Sequence, residues 1–170
     1  MKKAVFFDRD GIVNVDTEYI YKIEDFVYVE GFLDLFSLCK QKGYLLFVVT
    51  NQSGIGRGYY SLEDFLNLSA FMQNDLESRL GFCFDKIYYC AHDRDANCAC
   101  RKPNIGMIRQ AQDDFDIDLS KSYIIGDKES DIEAGINSGI NTTILFNKNG
   151  AKSKANFVVD SLYQVNSIIK

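Results

Sequence analysis

Short runs rich in β-branched and aromatic residues recur along the chain at Ala4–Phe7, Tyr44–Thr50, Lys86–Cys90, Ser122–Gly126 and Thr142–Phe146, with a weaker one at Phe157–Val159. They are nearly continuous in apolar character and lack the polar alternation of a half-exposed sheet. They therefore read as strands buried on both faces. Helical patterns fall between them, at about Phe32–Lys40, from Ser61 onward, and at about Asn104–Phe115, Asp131–Asn137 and Leu162–Ile169. Ser61 and Asp64 form a capping-box signature, and Phe65, Met72, Leu76 and Leu80 follow at helical spacing as a core stripe. Gly43 and Gly139 stand where helix C-terminal glycines belong. This alternation predicts an α/β fold, a three-layer, doubly wound parallel sheet whose ligands lie outside the carboxyl ends of the strands.

No repeat, low-complexity tract or Pro/Gly/Ser linker divides the 170 residues, so the expectation is one domain spanning 1–170 and a monomer. A hydrophobic fraction of 46% suffices for a core without disulfides. The net charge of -5 argues against a nucleic-acid partner. The only apolar run near the N-terminus, Ala4 to Phe7, is far shorter than the ~20 residues of a membrane span. The expected location is the cytoplasm, with no membrane partner. Five cysteines make an odd count, and three of them crowd between positions 90 and 100, which in a reducing compartment points to metal or reactivity more than to disulfides. Cys39 and Cys83 read as packing residues.

Polar residues gather at the predicted strand ends: Asp8-Arg9-Asp10-Gly11 after the first, Thr50-Asn51-Gln52-Ser53 after the second, and Gly126-Asp127 after a later one. Asp8 and Asp10 can both face a cavity if the chain leaves the pleat, and Gly11 permits that turn. One carboxylate can then attack while the other handles protons. Carboxylates so grouped raise one another's pKa unless a hard cation such as Mg²⁺ holds them ionised. A carboxylate is an established nucleophile toward phosphoryl groups, and such an ion neutralises phosphate charge. Gly54, Gly56 and Gly58 read as turn geometry, because no helix is expected directly after them.

A second constellation is Cys90-Ala91-His92, five residues, then Cys98-Ala99-Cys100, which contains the chain's one histidine. Three thiolates and an imidazole match a closed tetrahedral structural zinc site, with no position left for an activated water. The loop has few apolar residues, so metal binding would supply its folding free energy. Arg101 and Lys102 follow at once, and the loop would hold two cations where a phosphate binds.

In these motifs the chain resembles the haloacid dehalogenase superfamily: Asp8-Arg9-Asp10-Gly11 is its first motif, Thr50 its second, Lys102 its third, and Gly126-Asp127-Lys128-Glu129-Ser130-Asp131 its fourth. Ile12 stands where threonine is common. The Cys/His loop, Thr50–Gly58, Cys100-Arg101-Lys102-Pro103 and Gly126-Asp127-Lys128 narrow the resemblance to the histidinol-phosphatase-like branch and its heptose-bisphosphate phosphatases, although the Cys/His loop is shorter than is usual there.

The resemblance implies a Rossmann-like phosphatase without a large cap domain. It would remove the 7-phosphate of a heptose 1,7-bisphosphate on the way to lipopolysaccharide precursors. It implies Asp8 as nucleophile, Asp10 as general acid/base, and Thr50 and Lys102 as phosphoryl stabilisers. It further implies Mg²⁺ held by Asp8, Asp127 and the Asp10 carbonyl with support from Asp131, and zinc held by Cys90, His92, Cys98 and Cys100. Contacts to a small phosphorylated sugar would come from Asp16, Thr17, Glu18, Tyr19, Asn51, Gln52, Ser53, Arg101 and Lys128. Two alternatives carry the same acidic cluster: a phosphatase for histidinol phosphate or another small phosphomonoester, and a receiver-type signalling domain that stores phosphate on an aspartate.

Overall fold

The computed structural model describes all 170 residues. Six strands, β1 (Ala4–Phe7), β2 (Leu45–Asn51), β3 (Lys86–Cys90), β4 (Tyr123–Gly126), β5 (Thr142–Phe146) and β6 (Phe157–Val159), form one parallel sheet in the order β3-β2-β1-β4-β5-β6. All four residues of β1 and of β4 are buried, as two-sided coverage requires. The order of strand addition reverses between β1 and β4, which run parallel and pair Val5 with Tyr123 and Phe7 with Ile125. The connections that leave their carboxyl ends run to opposite sides and open the crevice where such folds bind ligands.

Alternation along each strand divides the interior into two layers. Val5 and Phe7 of β1, Leu46 and Val48 of β2, and Ile125 of β4 face a core built with α1 (Phe32–Gln41), the latter half of α3 (Leu62–Leu80) and α6 (Leu162–Val165). Ala4, Phe6, Phe47, Val49 and Ile124 face the other core, with α4 (Gly106–Phe115) and α5 (Glu129–Ser138). Ile12 is fully buried in the first core, so an aliphatic side chain fits that position. No helix is long and apolar enough to cross a membrane.

The strand expectations hold to within a residue at each end, and the capping box at Ser61 and Asp64 is present. Three details differ. The last helix stops at Val165 instead of Ile169. Beyond it the backbone closes i to i−3 bonds, and Ser167 Oγ takes the Gln164 carbonyl at 2.9 Å, a local bond that competes with helix continuation. Residues 53–56 form a single helical turn, α2 (Ser53–Gly56), in which Gly54 and Gly56 are required by close packing and not by turn geometry. A Cβ at Gly54 would overlap the Tyr60 ring, and one at Gly56 would lie 2.5 Å from the Asp93 backbone nitrogen; only Gly58 has positive φ, at 73°. Finally, α5 begins at Glu129, because Asp131 reaches back to accept the Lys128 N–H at 3.0 Å.

The α5 helix sits close on the sheet because Gly135 has no side chain: a Cβ there would overlap Ile124 Cγ2 and lie 2.8 Å from Thr143 Cγ2. Both are branch methyls of stiff buried side chains. The gain of about 1 kcal/mol in helix propensity on replacing glycine by alanine is therefore outweighed by overpacking of about 1–3 kcal/mol. Gly135→Ala is expected to lower the midpoint of thermal unfolding by a few degrees; a midpoint equal to or above wild type would show that the helix can lift off at no cost.

Candidate active site

The carboxyl ends of β1, β2 and β4 open into a cavity of about 360 Å³ lined almost entirely by polar side chains. Its floor is a cluster of buried charge. Asp8 follows β1, and its Oδ1 accepts from Lys102 Nζ at 2.9 Å and from the Arg9 N–H at 2.9 Å. Lys102 Nζ also lies 2.5 Å from Asp131 Oδ1 and donates to the Val49 carbonyl at 2.7 Å. Both donors to Asp8 fall on Oδ1, so Oδ2 is the oxygen no protein hydrogen bond claims. The Lys102 backbone is itself clamped, because the Asn51 amide donates to its carbonyl at 3.1 Å and accepts its N–H at 3.0 Å.

Carboxylate oxygens of Asp8, Asp127 and Asp131 lie within 4.8 Å of one another. Two glycines make this crowding possible: a Cβ at Gly11, whose φ is 93°, would overlap Asp127 Oδ2, and one at Gly126 would overlap Asp131. Burial first and then Asp131 push the Asp8 carboxyl well above the usual carboxylate range, with Lys102 opposing them. Asp127 is pushed up to about 6, mainly by burial. For Lys102 burial works against the charge, but Asp131 and Asp8 outweigh it and raise its pKa. Asp127 Oδ1 is buried without a hydrogen-bond partner. A buried acceptor left open among three carboxylates and one ammonium is a fit for a hard divalent cation.

Asp10 stands beside this cluster with its carboxylate heavily solvated by side chains. Arg9, 1% exposed, donates to Asp10 from Nε at 3.1 Å and from Nη2 at 2.9 Å; Asn14 Nδ2 adds a bond at 3.0 Å and Gln52 Nε2 another at 3.0 Å. Thr50 is fully buried, and its Oγ1 accepts from Gln52 Nε2 at 2.8 Å.

The walls come from two loops. In the one after β1, Asp16, Glu18 and Tyr19 line the cavity, whereas Thr17 is exposed outside it. Asp16 lies 3.5 Å from Lys128, and Tyr19 packs edge-on against Tyr59 at 4.7 Å. The loop after β3 supplies Arg94 and Arg101. Arg57 ties the two loops together, bonding Asp93 at 2.8 Å and the Tyr19 hydroxyl at 3.2 Å. Arg101 Nη1 is buried without a partner. Asn51, Gln52, Ser53 and Lys128 also line the cavity. Arg9, Asn14, Tyr60, Arg94 and Ser130 are site residues that motif reading passed over. An arginine set between two aspartates was the one available signal.

Behind the Arg101 wall, Cys90, His92, Cys98 and Cys100 bring their ligand atoms together. The three sulfurs are 2.9 to 3.5 Å apart, and His92 Nδ1 is 3.5 Å from Cys90 and 3.2 Å from Cys100. A tetrahedron with zinc–sulfur bonds of about 2.3 Å has sulfur–sulfur edges of about 3.8 Å, so a slight expansion would admit a metal. Burial pushes the Cys90 thiol up to about 12. At Cys98 burial acts the same way but is overcome by the Arg101 N–H and the neighbouring thiols, which bring it down to about 6. Asn104 Nδ2 donates to the Cys98 carbonyl at 2.7 Å, tying the loop to the segment that leads into α4.

A HAD-hydrolase-like family model matches residues 99–165, which include Lys102 and the Asp127–Asp131 segment. The chain is 45% identical to D-glycero-beta-D-manno-heptose-1,7-bisphosphate 7-phosphatase of Helicobacter pylori, over 92% of this chain and 90% of that one. It is 47% identical to D-glycero-alpha-D-manno-heptose-1,7-bisphosphate 7-phosphatase of Campylobacter jejuni, over 86% and 83%. The fold superposes on the D,D-heptose 1,7-bisphosphate phosphatase of B. bronchiseptica, solved with magnesium and phosphate, with a TM-score of 0.85 at 27% identity over 98% and 97% of the two chains. With near-full-length relatives of one kind and a matching fold, the chain belongs to the heptose-1,7-bisphosphate 7-phosphatase family of haloacid dehalogenase-like hydrolases.

Proposed function

We propose that this chain is a magnesium-dependent phosphatase that removes the 7-phosphate of D-glycero-D-manno-heptose 1,7-bisphosphate through an aspartyl-phosphate on Asp8. The observation that carries the reading is the asymmetry of Asp8: Oδ1 is held by Lys102 and the Arg9 N–H while Oδ2 is left free at the cavity floor. An oriented carboxylate with one unencumbered oxygen is what in-line attack on phosphorus needs. Asp8 and Asp127, with the Asp10 main-chain carbonyl, would hold the magnesium ion, and Asp131 supports them from beneath. When bound, that ion neutralises phosphate charge and keeps the neighbouring carboxylates ionised.

In the first half-reaction Asp8 Oδ2 forms a bond to phosphorus as the bond to the sugar oxygen breaks, and the leaving oxygen takes the proton of the Asp10 carboxyl. In the second, Asp10, now a carboxylate, removes a proton from water as the water oxygen attacks phosphorus. Asp8 leaves as a carboxylate and inorganic phosphate is released. Lys102 and Thr50 steady the phosphoryl oxygens, although Thr50 must turn its hydroxyl from a fully buried position to do so. Asn51, whose amide is spent on the Lys102 backbone, serves the site by fixing that lysine.

Substrate recognition falls to the walls. Lys102 points into the floor, whereas Arg101, adjacent in sequence, lines the cavity with an unpartnered buried nitrogen available to a second anionic group. The Cys90, His92, Cys98 and Cys100 cluster would hold zinc and thereby set the loop that carries Arg94 and Arg101. The relatives divide between the α and β anomers.

Three outcomes test this reading. Asp8→Asn is isosteric and is expected to keep the fold but lose phosphatase turnover by at least about 10³-fold, a barrier change of about 4 kcal/mol; a loss within about tenfold would sink the aspartyl-phosphate route. Protein purified without chelator is expected to carry about one zinc per chain by elemental analysis, with Cys98→Ser lowering both the zinc content and the melting temperature. Absence of any transition metal would rule the cluster out as a metal site. Arg101→Ala is expected to reduce kcat/KM for the heptose bisphosphate by about 10-fold or more while changing p-nitrophenyl phosphate little, whereas Lys102→Ala damages both. Equal losses on the two substrates for Arg101→Ala would remove its recognition role.

A further inference from the structure

The donors around Asp10 are not shared evenly between its two oxygens. Oδ1 receives three donors, Arg9 Nε at 3.1 Å, Arg9 Nη2 at 2.9 Å and Asn14 Nδ2 at 3.0 Å. Oδ2 receives Gln52 Nε2 at 3.0 Å and shares Arg9 Nη2 at 3.1 Å. Oδ2 is the less encumbered of the two oxygens, and Gln52, which lines the cavity, donates to it and not to Oδ1.

Gln52 is 2% exposed and has its amide committed at every donor. One N–H goes to Asp10 Oδ2 and the other to Thr50 Oγ1 at 2.8 Å. Its Oε1 accepts the hydroxyl of Tyr60 at 2.5 Å. A flipped amide would set Oε1 against the Asp10 carboxylate, so that carboxylate selects the orientation in which it has a donor, and the Tyr60 hydroxyl anchors the amide there by donating to Oε1. Tyr60 is itself 6% exposed and stacks on Tyr21 at 5.3 Å, and Gly54 has no side chain where the Tyr60 ring lies. Nothing in this arrangement leaves Gln52 a free N–H for a sugar hydroxyl.

We propose that Tyr60 and Gln52 are positioning residues for proton transfer, locking Asp10 so that Oδ2 faces the oxygen that leaves phosphorus. This rests on the assignment of Asp10 as the acid of the proposed reaction. In that step the phosphorus–oxygen bond to the leaving group breaks and the Asp10 proton passes to that oxygen, so misaiming Oδ2 costs most when the leaving group is a poor one. Phenol, with a pKa of about 10 like a tyrosine side chain, needs the proton; p-nitrophenol, a much stronger acid, departs without it.

The experiment compares kcat/KM for phenyl phosphate and p-nitrophenyl phosphate, two probes of nearly one shape, in wild type, Tyr60→Phe, Gln52→Ala and Asp10→Asn. The ratio kcat/KM covers events through the first phosphoryl transfer, so later hydrolysis does not blur the comparison. Tyr60→Phe keeps the stacked ring and loses only the hydroxyl, which guards against a Gln52 variant that folds poorly. Both variants are expected to lose about tenfold or more on phenyl phosphate and less than about threefold on p-nitrophenyl phosphate. Equal losses on the two probes in Tyr60→Phe and Gln52→Ala, with Asp10→Asn still selective, would overturn the positioning role alone. Equal losses in Asp10→Asn would overturn the acid assignment itself and the proposal with it.

Discussion

The arrangement depends on one buried ammonium. Lys102 sits 3% exposed between Asp8 and Asp131, and every other feature of the floor follows from the need to place it there and keep it charged. Breaking such a buried pair by removing one partner strands the other charge, at a cost of about 3–5 kcal/mol. The chain accordingly fixes the lysine through its main chain as well as its side chain, with the Asn51 amide bonded to both sides of its peptide unit. One ammonium does not balance the carboxylates of Asp8, Asp127 and Asp131. Burial first, and then the neighbouring carboxylates, raise Asp8 and Asp127 above the ordinary carboxylate range, and a divalent ion would cancel the charge left unbalanced.

Much of this was legible in the residues themselves. The apolar runs marked the strands because a doubly covered sheet leaves them no polar alternation, and Gly11 and Gly126 stood beside aspartates because only glycine clears the space those carboxylates occupy. Other features could not be read so. Whether Asn51 faces substrate or holds Lys102 is decided by a contact across 51 positions of sequence, and no local pattern encodes it. The same holds for Tyr60, whose place beside Gln52 arises from a four-residue helical turn too short to leave a periodic signature. Thr17 was grouped with its neighbours by resemblance, yet it does not line the cavity that Asp16, Glu18 and Tyr19 line, and the left-handed φ of 66° at Glu18 and 52° at Tyr19 that shape this loop have no signal in the local sequence.

The two halves of the site are built on different principles. The floor is rigid because strands and buried ion pairs define it. The walls are loops, held by the Arg57 bridge between Tyr19 and Asp93 and by the Cys/His cluster. Exposed ion pairs of this kind contribute little stability by themselves, about 0–1 kcal/mol, and a metal held by the cluster would fix the wall more firmly than the bridge does. Chemistry and recognition can thus vary separately within one fold.

The order in which β1 finds its neighbours has a consequence for the protein during synthesis. β1 pairs on one side with β2, at Leu45, and on the other with β4, at Tyr123, so its two flanking hydrogen-bond ladders close across very different lengths of chain. Contacts of such long sequence separation form late, because the intervening loop must first lose its entropy. Until Asp127 and Asp131 have left the ribosome, Asp8 lies on an open sheet edge without the two carboxylates that crowd it in the folded protein, one of which shares Lys102 with it. The chain therefore gains its carboxylate cluster in the same event that seals its central strand.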